Sequence, residues 1–238
     1  MKKIAVFGMM AVASIFSGSV YAGQVTGTAK FMGTAPVREP LSMAADPTCM
    51  AAHPEPALAE NVIANPNGTL KNVFVYVKQG LEGKTFPAPT TPATIDQKGC
   101  QYSPHVFGIQ AGQNLEIVNS DNTLHNIHSM AEKSKQFNLG MPIQGMKLNK
   151  KFENPEVMVH LKCDVHPWMS AYIGVLPHSF YGVSGDDGSF SIKDLPAGRH
   201  EFKVWHEVGK MLEKSLVVTV KPGDNEITIK VAASKLGK

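Results

Sequence analysis

Much that would mark a nucleic-acid binder, a membrane protein or a hydrolase is missing from this 238-residue chain. Its 23 basic residues barely exceed its 20 acidic ones, and setting aside Lys2 and Lys3 leaves 21 against 20. That balance excludes a basic surface for nucleic acid and strong attraction to anionic membranes. Beyond Phe16 no apolar run reaches the length of a membrane helix, so no membrane insertion is expected. No long amphipathic helix and no internal repeat is visible. Cysteine is scarce, with Cys49, Cys100 and Cys163 only. An odd number in an oxidising compartment leaves one thiol to be explained.

What is present begins with a targeting signal. Lys2 and Lys3 open the chain, Ile4 to Phe16 is almost wholly apolar, and Val20-Tyr21-Ala22 offers small residues for cleavage. The expectation is an exported, periplasmic protein cleaved after Ala22, without a lipid anchor because Gly23 would lead the mature chain. An uncleaved anchor helix is the alternative.

The remainder reads as β. Gln24 to Phe31 alternates in character, and Asn72-Val73-Phe74-Val75-Tyr76-Val77 is rich in β-branched and aromatic residues. Residues 33 to 69 show no sustained period and predict loop; residues 84 to 94, with Pro87, Pro89 and Pro92, predict a linker. Val157 to Cys163 alternates so that Val157, Val159, Leu161 and Cys163 share one face, with His160 on the other. After Tyr181 come five more strand candidates, divided by Gly185-Asp186-Asp187-Gly188, Pro196-Ala197-Gly198 and Pro222-Gly223-Asp224. Two strands before the linker are too few for a stable sheet domain, but with those at the far end they make about seven, enough for a sandwich.

One short stretch carries chemistry. Cys163-Asp164-Val165-His166-Pro167-Trp168-Met169 places thiolate, imidazole and thioether at two-residue intervals in one loop. Soft sulfur with imidazole suits an ion cycling between Cu(I) and Cu(II), and two histidines, one cysteine and a distant methionine make a blue-copper site. Asn119 to His128 supplies the second imidazole. His125 and His128 point to opposite faces of an extended strand, so only one of them can line the site. Zinc would accept the cysteine and histidines but not the thioether. A Cys–His nucleophile pair is disfavoured because the two are close in sequence and no oxyanion loop is evident.

These paired motifs, Asn-x5-His-Asn-x-His and Cys-x2-His-Pro-aromatic-Met, resemble the cupredoxins over roughly residues 94 to 177, with a ligand loop similar to that of the plastocyanin and amicyanin type. The resemblance implies a Greek-key β-barrel or sandwich holding one type 1 copper ion through His125, Cys163, His166 and Met169. It also implies that Asn126 directs its amide toward the thiolate and that Asn119 braces the ligand loop. By the same analogy, His166 would present its edge at an apolar surface as the point where electrons pass. The opening Gly-x-Val-x-Gly-x-Ala pattern and Asp187 to Gly198 resemble the two halves of carboxypeptidase-regulatory-like (transthyretin-like) sandwiches. The expected organisation is therefore all-β. A leader over 1–22 precedes a sandwich split between 23–93 and 178–238, with the cupredoxin unit at 94–177 inserted in it. Two sequential domains are the simpler alternative. Chains of this combined appearance resemble the methylamine-utilization and plastocyanin-like periplasmic proteins.

With Cys163 assigned to the metal, Cys49 and Cys100 can pair, stabilising by about 4 kcal/mol for a loop of this length. The alternative is a second metal site of Cys49, His53, Cys100 and His105. His178, His200 and His206 are expected to be structural, and Trp205-His206-Glu207 to be sandwich packing. Electron transfer with a partner such as a c-type cytochrome or a periplasmic dehydrogenase is the expected function, and no enzyme is expected. A copper-delivery module without a redox role, or a ligand-binding sandwich with an auxiliary copper unit, are the rivals.

Overall fold

Alternation along Gln24 to Phe31 becomes strand β1 (Ala22–Met32), whose inward positions include Gly23, Val25, Gly27 and Ala29. Gly27 is required there, because a Cβ would lie 2.4 Å from the ring of Phe190. The computed structural model describes residues 22–236, so the expected leader, apart from Ala22, lies outside the described residues. Among those described, no helix is long and apolar enough to cross a membrane. The described residues are almost all β, with a five-residue α-helix, α1 (Pro47–Ala51), in the long loop after β1 and a 3-10 turn at Ala233–Leu236.

Strand β2 (Phe74–Gln79) is buried on both faces through its first four residues. It does not pair with β1. Instead, β1 lies between two strands from the far end of the chain, β13 (Ser189–Pro196) and β16 (Gly223–Ala232), the latter in parallel. β2 lies between β12 (Tyr181–Val183) and β14 (Gly198–His206), and β15 (Lys210–Val220) completes that sheet. Val25, Leu70, Val75, Ile192, Phe202 and Val231 fill the space between the two layers.

The strands between β2 and β12 pair only among themselves. β5 (Val106–Gln110), β11 (Ser170–Leu176), β10 (Glu156–Lys162), β7 (His125–Ser129) and β8 (Asn138–Met141) form one sheet in that order. β4 (Gln101–Ser103), β3 (Ala93–Lys98), β6 (Leu115–Asn119) and β9 (Lys147–Lys150) form the other. Ile95, Ile117, Phe152, Leu161 and Ile173 are its fully buried core. Met43 and Cys49 of the long loop join this core, so residues near α1 form a strap over it.

A third cluster, of Phe74, Tyr76, Val106, Leu176 and Trp205, seals the junction of the two sheet pairs. Two glycines make room for it. A Cβ on Gly108 would meet Tyr181 at 2.4 Å, and one on Gly174 would meet Phe74 at 2.4 Å. Trp205 therefore does not serve the sandwich interior, as its sequence neighbours suggest, but packs on Tyr172 with ring centroids 5.1 Å apart. Val157 also departs from expectation. A register irregularity between Glu156 and Val159 breaks the alternation and turns Val157 with Met158 toward this junction, while Val159, Leu161 and Cys163 stay in the core.

Candidate metal centre

The end of β10 and the start of β11 are joined by the Cys163–Met169 loop, which closes on itself. Cys163 N–H donates to Met169 O at 3.2 Å, Met169 N–H to His166 O at 2.9 Å, and His166 N–H points to Cys163 Sγ at 3.3 Å. Met169 is buried in the same core. β7 pairs with β10 and brings His125 opposite this loop. Ligating atoms of His125, Cys163 and His166 all lie within 4.8 Å of one another, and all three residues are buried. His128 lies on the other face of β7, half-buried, bonded through Nδ1 to Asp164 Oδ2 at 2.9 Å.

Each clustered imidazole is held by a carboxylate. His125 Nε2 donates to Asp121 Oδ2 at 2.9 Å, and His166 Nε2 donates to Asp46 Oδ2 at 3.0 Å. An ionised carboxylate only accepts, so it keeps the hydrogen of each ring on Nε2. Asp46 is ionised at neutral pH: burial opposes its charge, yet bonds from His166, Cys49, Thr123 and Thr48 hold it down at about 2. Asp121 is likewise lowered, burial being outweighed by His125 and the amides of Cys100 and Gly99. The two Nδ1 atoms then carry lone pairs, and they face each other at 3.0 Å. Such a pair requires a shared proton or a cation. His125 is correspondingly pushed up to about 9, because Asp121 and the Cys163 sulfur outweigh its burial. Burial also opposes the Cys163 thiolate, but His125 and the amides of Asn126, His166 and Val165 draw its pKa below the ordinary thiol value.

Asn126 Oδ1 accepts from Asp164 N–H at 2.7 Å and sits 3.2 Å from Cys163 Sγ, so this side chain holds the start of the ligand loop. Tyr102 O–H caps the Asn126 carbonyl. Asn119 does something different from what the resemblance implies. Its Nδ2 donates to Thr123 O and Met141 O, at 3.0 and 2.8 Å, which braces the turn leading into His125 rather than the Cys163 loop.

One further feature departs from the sequence reading. His166 is only 3% exposed and does not present an edge to solvent, because the strap carrying α1 lies over it. Asp46 caps α1 through the amides of Thr48 and Cys49, and Pro47 fills the first helical position. The loop's anchorage, by contrast, bears out the expected cysteine pairing. Cys49 and Cys100 form a disulfide, and Cys49 Sγ lies 3.8 Å from His166 Nε2. Trp168 packs on His166, ring centroids 4.9 Å apart, and donates from Nε1 to Cys100 O at 3.0 Å. His53 bonds Gly99 O and His105 bonds Glu207, so the alternative grouping of Cys49, His53, Cys100 and His105 is not assembled. Asp46 and Asp121 were missed as functional residues. The Asp-Pro pair at 46–47 does signal a helix start, but nothing local reveals a bond to a residue 120 positions away.

No family model matches this chain, and no curated protein matches it. Among solved structures, a purple cupredoxin from Nitrosopumilus maritimus is 26% identical over 35% of this chain and 98% of its own, with a TM-score of 0.30. A mutant amicyanin in the Cu(I) state is 17% identical over 35% of this chain and 81% of its own, with a TM-score of 0.32. A copper-containing nitrite reductase from Thermus scotoductus is 22% identical over 41% of this chain, with a TM-score of 0.34. The chain spans 25% of that enzyme's length. Each overlap takes in less than half of this chain.

Proposed function

We propose that His125, Cys163, His166 and Met169 hold one type 1 copper ion and that the protein passes single electrons between partners in the periplasm. The observation that carries the reading is the pair of Nδ1 lone pairs facing each other beside a thiol primed to ionise. Two imidazoles, a thiolate and a nearby thioether fit copper better than zinc. When bound, copper supplies the one-electron couple. The chain's own part is to fix both rings through Asp46 and Asp121 and to exclude water from all four donors. A cage held this firmly changes little between oxidation states.

In this reading residues 94–177 are a cupredoxin unit carried within a transthyretin-like sandwich of 23–93 and 178–238, a division supported by the separate strand pairing of the two parts. The partners are redox proteins, a c-type cytochrome or a periplasmic dehydrogenase, and the chain is not itself an enzyme. Visible spectroscopy of copper-loaded protein tests the assignment. An intense thiolate-to-copper band that bleaches reversibly on reduction is expected, and Cys163→Ser removes it. A spectrum unchanged by that substitution sinks the reading. The covered edge of His166 favours one rival, a copper-holding module without redox traffic. That rival predicts tight Cu(I) binding with no reversible colour.

A further inference from the structure

Behind the two imidazoles lie sulfurs and carboxylates that are not among the four proposed copper donors. Asp46, Cys49 and His166 bring ligating atoms within 4.8 Å of one another, and so do Cys100, Asp121 and His125. The two triads are joined by the Cys49–Cys100 bond. Other bonds also hold them together. Asp46 accepts from Thr48 N–H at 2.8 Å and from Thr123 Oγ1 at 3.0 Å, and Asp121 accepts from the amides of Gly99 and Cys100 at 2.7 Å each. Trp168 fixes the Cys100 carbonyl. None of these contacts needs the disulfide, so they keep the two sulfurs adjacent once it is broken.

A disulfide sulfur is a poor metal donor, whereas a thiolate is a soft and strong one. We infer that Cys49, Cys100, Asp46 and Asp121 form a second, reduction-dependent site for a thiophilic d10 ion, Cu(I) or Zn(II), directly behind His125 and His166. The step that opens it is thiol–disulfide exchange with a protein dithiol. One thiolate of the reductant attacks a sulfur of the pair, and its second thiol resolves the mixed disulfide. The reductant leaves as a disulfide, and two electrons and two protons pass to the chain, giving two thiols. The incoming ion displaces both protons. Two sulfurs on one tetrahedral ion at about 2.3 Å stand roughly 3.8 Å apart. The Cα atoms of Cys49 and Cys100, 5.5 Å apart, allow that spacing by side-chain rotation. This donor set shares the cysteines of the sequence-based alternative but replaces His53 and His105 with two carboxylates.

The inference goes beyond electron transfer and stands or falls separately from it. The full mature chain, loaded with one copper ion kept cuprous, is treated with a phosphine, which takes oxygen from water as the disulfide gains two hydrogens. It is then titrated with Cd2+. The expected result is one cadmium per chain with a thiolate charge-transfer band in the ultraviolet and copper retained. Unreduced protein and Cys49→Ser/Cys100→Ser take up none, and Asp121→Asn binds at least tenfold more weakly. Reduced wild-type protein that binds no more cadmium than unreduced protein overturns the inference, as does cadmium gained only in exchange for copper. The comparison within the wild-type protein decides the matter even where a variant fails to fold.

Discussion

Asp46→Asn isolates the contribution of one charge to the proposed copper centre. Asparagine is as good a helix N-cap as aspartate, so α1 and the strap should remain in place. What changes is the bond at 3.0 Å to His166 Nε2: asparagine has one acceptor oxygen, and with it kept on the Thr48 and Cys49 amides an NH2 group faces the imidazole N–H, so the bond is lost. Hydrogen bonds to charged groups contribute about 1.5–3 kcal/mol, so a loss of that size is expected. A doubly charged ion makes the imidazole N–H a stronger donor than a singly charged one does, so most of this loss falls on the oxidised state. With about 59 mV for each tenfold change in a one-electron couple, the reduction potential should rise by up to roughly 130 mV. Because Asp46 is largely covered, added salt should remove little of the shift. Redox titration followed at the visible band measures it directly. A fall in potential, or no change in a variant whose spectrum matches wild type, refutes the argument that Asp46 acts electrostatically through His166.

Other consequences follow from the fold. Cys49→Ser/Cys100→Ser opens a loop with a sequence separation of 51, and should cost about 4 kcal/mol, read as a lower urea midpoint. An unchanged midpoint would mean that the strap is held by its hydrogen bonds alone. Trp205→Ala removes a buried ring from the junction and should cost about 3–5 kcal/mol in the same assay. The pair His105–Glu207, at 2.6 Å, gives a pH signature. Burial disfavours the charge on each, but the partner's charge and hydrogen bond raise His105 above and draw Glu207 below their ordinary values. Its stabilisation is therefore lost as pH falls below the carboxylate range and as pH rises through the elevated His105 value. Glu207→Gln should cost about 1–3 kcal/mol near pH 6 and less near pH 9, by urea unfolding at both. Equal losses at the two pH values would argue against an ionic contribution.

How much of this was legible in the sequence depended on how local the cause was. Cys163, His166 and Met169 occupy one turn of chain, and hydrogen bonds within that turn are enough to gather them. The β-strand period exposed β1 and most of β10 for the same reason, since alternation is a property of neighbours. It failed at Val157, where a register irregularity moved the residue to the junction. The burial of His166 was invisible because its cover comes from a segment without periodicity, tied down by partners far along the chain. Trp205 was misread for a related reason. Its strand belongs to the sandwich, but its ring is received by Tyr172 of the other part.

The pairing of β1 with β13 and β16 has a consequence for the order in which the chain can fold. When β1 and β2 leave the ribosome, every strand partner they will use is still more than a hundred residues away, so two sheet edges must wait without neighbours. The strands from β3 to β11 need no such delay, because all their partners lie within their own stretch. The inner unit can therefore finish first, and since β2 and β12 lie side by side where it leaves and rejoins the sandwich, its completion brings the waiting edge to the strands that close it. The inner unit then acts as the clasp that times the assembly of its own carrier.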